Sequence, residues 1–243
     1  MVLPGDVVPN SMMISGPDSG VQVLDRSIAV VAAVVERGAL TLAQLVAITG
    51  LARPTTHRLA VALEVQGLLR RDDDGRIRPG GRLVGWGAAA TRAWPIAELA
   101  QPVLDRLRDD SGESAQLFVR DGDRRRCIAS ADRTSGLRDT VPLGIALPLE
   151  KGSGGTVLLA FAGAAGARFD RVRAAGWADS RAERESGVGS VSAPVFAPSG
   201  AVAAAISVSG PLDRLGRRPG QRLAPLVRGA AAQLSEQYAQ HRS

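Results

Sequence analysis

The sequence predicts an α+β chain in two parts, a small helical unit with a short hairpin and a larger unit built on a largely antiparallel sheet. Three observations carry that expectation. Apolar residues recur at helical spacing from Val23 to Gln66, in short runs broken at Gly38 and Gly50. From Glu113 the period shortens to two, and turn signals at Asp121-Gly122-Asp123 and Pro198-Ser199-Gly200 separate flanks that suit strands. Helical runs at Ile96–Asp110, Thr156–Ala162 and Gln221–Tyr238 interleave with those hairpins, which is the order of an α+β domain. With 243 residues and 45% hydrophobic content, the chain has the length for two modest domains and the apolar residues for their cores. Aromatics make up only 3%, so those cores must be built from Ala, Val, Leu and Ile.

Residues 1–20 have no basic n-region and no sustained apolar run, and read as a disordered leader, not a signal peptide. Val23–Glu36 is a helix with Leu24, Ile28, Val31 and Val35 on one side and Gly38 to end it. Thr41, with Gln44 three residues on, is a capping-box start for a second helix carrying Leu42, Leu45, Val46 and Ile48. Gly50 supplies the stop that a left-handed C-cap wants. A third helix follows with Pro54 near its first turn, where the missing N–H costs nothing. Leu59, Leu63 and Val65 give this helix an inward side. Arg53, Thr55, Thr56, His57 and Arg58 lie on the opposite side of its N-terminal half. Two short helices meeting at Thr49-Gly50-Leu51 have the layout of a helix-turn-helix, whose second helix enters the DNA major groove by its N-terminal residues.

Asp74-Gly75, between Leu68–Arg71 and Arg76–Pro79, places a two-stranded wing directly after that helix. The wing carries Arg70, Arg71, Arg76 and Arg78. Its three tip aspartates read as a solvated turn and not as a metal site. Gly85–Trp94 is a linker helix ended by Pro95. The expected domains are therefore a winged helix-turn-helix over 21–82, a linker helix over 83–95 and an effector-binding and oligomerisation domain over 96–243.

Composition and motifs narrow the function further. Of the 30 basic residues, Lys151 is the only lysine, and the net charge of +6 suits an anionic partner such as DNA. Between residues 51 and 82, seven arginines against four acids leave a local balance of +3, which favours two copies binding together. A guanidinium grips guanine O6/N7 or a phosphate bidentately, so Arg53 and Arg58 are the first candidates for the duplex. The alternative for Arg58 is a structural ion pair with Glu64 or Asp25. The wing arginines suit phosphates or the minor groove. No segment has the roughly 18 uninterrupted apolar residues of a membrane helix, and a lone Cys127, read as core packing, precludes an internal disulfide framework. A soluble cytoplasmic protein is expected. An enzyme is disfavoured: there is no GxSxG elbow, and the two histidines, His57 and His241, sit in the DNA-reading helix and the tail. The Gly152–Thr156 segment lacks the length and lysine of a phosphate loop, and no His/Cys cluster has metal-ligand spacing. Neither a catalytic residue, a metal ligand nor a cofactor is assigned.

Four stretches, GLARPTTHRLAVALEVQGLL, GESAQLF, GSGGTVLLAF and SVSAPVFAPSGAVAAAISVSGP, together resemble the IclR family of bacterial transcription regulators. The resemblance runs from about Val21 to Tyr238. GLRDTVPLG, RRPG and AAGWADSRAERESGVGSVSAP are similar to one actinobacterial branch, regulators of leucine and other amino-acid biosynthesis genes of the NdgR and LtbR type. The resemblance implies a GAF-like C-terminal sensor domain, binding to operator DNA as a homodimer or tetramer, and a small-molecule effector such as an amino acid or small carboxylate. By the same resemblance Leu137, Ser153, Gly154, Ser180, Ser190, Ser207 and Ser209 are the expected effector contacts. Strand period places Ser207 and Ser209 on one face. A Gly152–Gly155 loop before a helix would add N–H donors and a dipole that favours an anion. These small residues also suit close strand packing. One departure stands out: only about ten residues, roughly Ala162 to Asp170, fill a segment that is longer in the family. A second reading follows from it, in which the C-terminal domain binds no ligand and serves assembly alone.

Overall fold

The computed structural model describes residues 19–92 and 94–241, so the leader expected over 1–20 lies outside the described residues except for its last two. The chain divides after Ala90 into two compact units.

The first unit begins with three helices, α1 (Gln22–Arg37), α2 (Leu42–Thr49) and α3 (Arg53–Val65). In α1 the buried residues are Val30, Ala33 and Val34, while Leu24, Ile28 and Val35 are at least half exposed. This corrects the expected inward stripe. Nearly every residue from Ile28 to Val35 is aliphatic, so periodicity alone could not choose the face. The start of α2 is a complete capping box: Thr41 N donates to Gln44 Oε1 at 2.9 Å and Gln44 N to Thr41 Oγ1 at 3.2 Å. Gly50 closes α2 in the left-handed region at φ 65°, as a C-cap glycine does. Pro54 occupies the first turn of α3. Val65, expected inside, is 80% exposed, because the buried stripe of α3 runs Thr56, Ala60, Leu63.

Strands β1 (Leu69–Arg71) and β2 (Ile77–Pro79) pair antiparallel to form the wing. Leu40 and Ile77 exchange backbone hydrogen bonds at 2.9 and 2.7 Å, which ties the wing to the segment between α1 and α2. Leu40, Leu45, Ala60, Leu69 and Ile77 share one core with α1. Helix α4 runs Gly81–Arg92, starting four residues earlier than the linker helix expected at Gly85.

The second unit contains α5 (Pro95–Ser111), β3 (Ser114–Asp121), β4 (Arg124–Ala131), β5 (Ala146–Pro148), α6 (Ser153–Phe161), α7 (Ala167–Ala175), β6 (Ala178–Arg181), β7 (Val188–Phe196), β8 (Val202–Pro211), α8 (Leu212–Leu215) and α9 (Pro219–His241). Its six strands form one sheet in the order β5-β4-β3-β8-β7-β6, every neighbouring pair antiparallel. The whole is an α+β fold. Alternation sorts the residues: Leu117 and Val119 of β3, Val191 and Ala193 of β7, and Ile206 and Val208 of β8 face α5 and α9. Phe118, Cys127 and Ala205 point to the other face, beneath Val157 and Leu158 of α6 and Val172 of α7.

The Gly152–Gly155 stretch is not a loop leading into a helix, since α6 already begins at Ser153. A Cβ on Gly155 would overlap the Leu149 carbonyl, so glycine here permits a close backbone approach. Low helix propensity concealed that packing role.

Candidate DNA interface and effector cavity

At the N-terminal end of α3, Arg53, His57 and Arg58 are exposed and Thr55 is half-buried. Arg53 and His57, four apart, lie on one side of the helix. Thr56 is fully buried, and its hydroxyl donates to Ala52 O at 3.1 Å and Leu51 O at 3.4 Å. It pins the turn between α2 and α3 and is out of reach of a duplex, which corrects its place among the DNA contacts. The ion pairs considered for Arg58 do not form. Asp25 accepts from Ser19 N, and Glu64 pairs with Arg71. Among the described residues, the side chains of Arg53 and Arg58 have no protein partner.

The wing divides its arginines into two kinds. The side chains of Arg70 and Arg76 are exposed, with no partner among the described residues. Arg71 Nε lies 3.0 Å from Glu64 Oε1, and Arg71 Nη1 donates to Gly75 O at 3.3 Å. Arg78 Nε donates to Asp72 Oδ2 at 2.5 Å. That bond, helped by Arg76 N–H, holds the Asp72 carboxyl below its ordinary pKa. Arg82 joins the end of α3 to α4: it donates to Gln66 O and Oε1, each at 3.0 Å, and lies 5.4 Å over the Trp86 ring.

In the second unit a small cavity of about 20 Å³ lies between the sheet and the start of α6, lined by Gln116, Phe118, Arg125, Gly154, Ser180, Ser190, Ser207 and Ser209 among others. That is room for about one water. Hydroxyls cross-link its floor. Ser153 Oγ lies 2.7 Å from Ser190 Oγ and 2.6 Å from Ser192 Oγ, and Ser180 Oγ lies 2.9 Å from Ser190 Oγ. Ser192 bonds Ser207, and Ser209 donates to Gln116 Oε1 at 3.0 Å. Arg125 is buried, lies 5.1 Å over the Phe118 ring, and donates through Nη1 to Pro148 O and Lys151 O. Burial, then the like charge of Arg184, lowers its pKa to about 10, so it stays charged at neutral pH. Arg184 Nη2 grips buried Asp139 through Oδ1 at 2.5 Å and Oδ2 at 2.6 Å. Two buried donors, Gln116 Nε2 and Arg125 Nε, have no partner among the described residues. Burial pushes the Cys127 thiol up to about 12, as expected of a core residue and not of a reactive thiol.

Residues 23–73 match the IclR helix-turn-helix domain, and residues 88–168 and 164–236 match the bacterial transcriptional regulator IclR C-terminal domain. The chain belongs to the IclR family. It is 28% identical over 242 residues to the HTH-type transcriptional regulator BhcR of Paracoccus denitrificans, covering 89% of this chain and 87% of that one. The crystal structure of Thermotoga maritima IclR superposes with a TM-score of 0.72 at 20% identity, covering 89% of this chain and 98% of that one. An IclR homolog complexed with 4-hydroxybenzoate, from Microbacterium hydrocarbonoxydans, gives a TM-score of 0.70 at 21% identity, with coverage of 89% and 98%. This IclR-family chain is accordingly a DNA-binding transcriptional regulator and not an enzyme.

Of the effector contacts expected for an IclR-type domain, Gly154, Ser180, Ser190, Ser207 and Ser209 line the cavity, and Ser153 bonds two of the floor serines. Leu137 does not: its side chain is 74% exposed, and only its carbonyl is engaged, by Arg214. Sequence reasoning missed Ser192, Gln116, Phe118, Arg125, Asp139 and Arg184. The signal for Gln116 and Arg125 was their position on the inward period of β3 and β4, where a polar residue is out of place. No residue from 162 to 175 lines the cavity, and the shortened segment reaches its surroundings through Arg168, which donates to Thr156 Oγ1 at 2.7 Å and lies 3.5 Å from Glu183. A wider open groove of about 430 Å³ lies elsewhere, among Phe161, Arg173, Phe196 and Arg228.

Proposed function

We propose that this regulator reads operator DNA through Arg53, Thr55, His57 and Arg58, with Arg70 and Arg76 on phosphates and Arg71 and Arg78 framing the wing. The observation that carries it is the free Arg53/Arg58 pair at the start of the second helix of a helix-turn-helix. Residues 21–82 act as the DNA-binding domain, 83–95 as the linker and 96–243 as the effector-binding and oligomerisation domain. A homodimer or tetramer presents two recognition helices to half-sites about one helical turn or a multiple apart. The target genes serve amino-acid metabolism, leucine-related in the first instance, and the protein acts in the cytoplasm. A small carboxylate or amino acid enters the cavity beside Ser153, Gly154, Ser180, Ser190, Ser207 and Ser209 and favours one placement of the DNA-binding domains over another. Such control requires different affinity for the two states. The relative bound to 4-hydroxybenzoate supports a carboxylate.

Selection of genomic fragments by the full-length protein tests the reading. Enrichment of intergenic DNA beside amino-acid biosynthesis operons is expected, and binding without any preferred sequence would overturn it. The cavity of about 20 Å³ favours one second reading, a C-terminal domain that serves assembly alone.

A further inference from the structure

The serine floor that the family resemblance singles out is already satisfied. Each of Ser153, Ser180, Ser190, Ser192, Ser207 and Ser209 has a side-chain hydrogen-bond partner inside the protein. A ligand placed on these hydroxyls would have to displace bonds that exist. Gln116 Nε2 and Arg125 Nε are in the opposite condition. Gln116 is 0% and Arg125 4% exposed, both line the same cavity, and neither donor has a partner among the described residues. Buried donors without acceptors are costly and rare, and they mark places that a ligand or water completes.

The charges around the cavity point the same way. Its lining contains Arg125, Arg184 and Asp139, a net +1. Arg184 already holds both carboxylate oxygens of Asp139. Glu183, close enough to raise the Arg125 pKa, accepts from Gly152 N at 2.8 Å and does not line the cavity. The charge left over is that of Arg125. Its guanidinium is held ready, by the Phe118 ring on one side and by the carbonyls of Pro148 and Lys151 at Nη1.

We propose that Arg125 and Gln116 form the anion seat of this cavity, and that its ligand is a compact monocarboxylate without an ammonium group. The proposal rests on the reading of this cavity as the effector site. The two carboxylate oxygens accept from Arg125 Nε and Gln116 Nε2, which are charge-assisted and neutral donors respectively. An amino acid is disfavoured because its ammonium would be desolvated with no free carboxylate to receive it, Asp139 being occupied. Sites discriminate strongly on such unmet polar groups. The ligand is short because the space now holds about one water. Asp139 and Val141, from the segment between β4 and β5, complete the lining on that side.

Titration calorimetry of the full-length protein with propionate, alanine, propionamide and leucine tests this, since the first three share a carbon chain and differ in charge. Propionate should bind, with alanine and propionamide at least tenfold weaker. Arg125→Gln should weaken propionate at least tenfold. Gln116→Glu should do the same while keeping the side-chain shape and the acceptor for Ser209. It covers the case in which loss of the Nη1 bonds unfolds the arginine variant, and circular dichroism reports folding of both. Arg228→Gln, in the open groove, should leave binding unchanged. Propionate affinity that survives in both cavity variants, or alanine binding as well as propionate, overturns the anion seat and leaves the effector reading intact. Greater loss from Ser190→Ala than from Arg125→Gln also overturns it and returns recognition to the serines. If leucine binds the wild type and propionate does not, the seat falls alone; if no carboxylate or amino acid binds, the seat and the effector reading fall together.

Discussion

The two units handle their polar groups in opposite ways. On the first, Arg53, Arg58, Arg70 and Arg76 face solvent without protein partners, a condition that water makes inexpensive and that leaves them free for phosphates and base edges. In the second, serines, a glutamine and an arginine from several strands turn inward beneath α6, and the fold satisfies nearly all of them internally. Free donors outside are unremarkable singly and informative as a pattern on one helix. Free donors inside are informative one at a time. The proposed DNA surface of the first unit is therefore read from spacing, and the proposed ligand seat of the second from the few atoms left over.

The largest expected effect lies where α6 meets the backbone of Leu149. Gly155→Ala forces a Cβ into that carbonyl and should lower stability by about 3 kcal/mol, measured by denaturant unfolding. Arg184→Ala comes next. It strands buried Asp139, should cost about 2 kcal/mol, and should make the segment between β4 and β5 the first site of limited proteolysis. Thr56→Val removes one buried hydroxyl and should cost about 1 kcal/mol of stability while leaving the preferred DNA sequence unchanged. A change of sequence preference would return Thr56 to the recognition surface.

The smallest effect belongs to Asp72. Its pKa is lowered in the folded chain by Arg78, so its contribution is complete at neutral pH, where both folded and unfolded forms are ionised. As pH falls below the ordinary 3.8 the unfolded chain takes up a proton first, and the contribution is gone below the lowered folded value. Amide exchange of wing residues followed downward from pH 5 should show protection lost over that interval, and Asp72→Asn should abolish the dependence.

Legibility in the sequence followed the same division. The capping box at Thr41–Gln44, the left-handed stop at Gly50 and the Asp-Gly wing were all readable, because each is a local device with a fixed spacing. So were the hairpins β3–β4 and β7–β8. The buried face of α1 was not readable, since an almost unbroken aliphatic run has no preferred side. Thr56 was misplaced because a helix pattern with polar residues at 55, 56, 57 and 58 does not say which one faces α2. Short β5 and β6 escaped notice, as three- and four-residue strands carry too little alternation to register. Arg125 and Gln116 were signalled singly, as polar residues on the inward period of β3 and β4, but only the sheet lying under α6 brings them to one cavity. The distance between them in sequence, and their separation from the glycine stretch at 152–155, conceals a cavity that only the sheet assembles.

The central claim is that the free arginines of α3 read DNA. Footprinting on the promoter region of a neighbouring operon, with Arg53→Ala and Arg58→Ala beside the wild type, tests it most directly. Each variant should lose about tenfold in affinity, roughly 1.4 kcal/mol, and relax the sequence preference at its own base positions. Protection by both variants at wild-type concentrations would contradict the assignment.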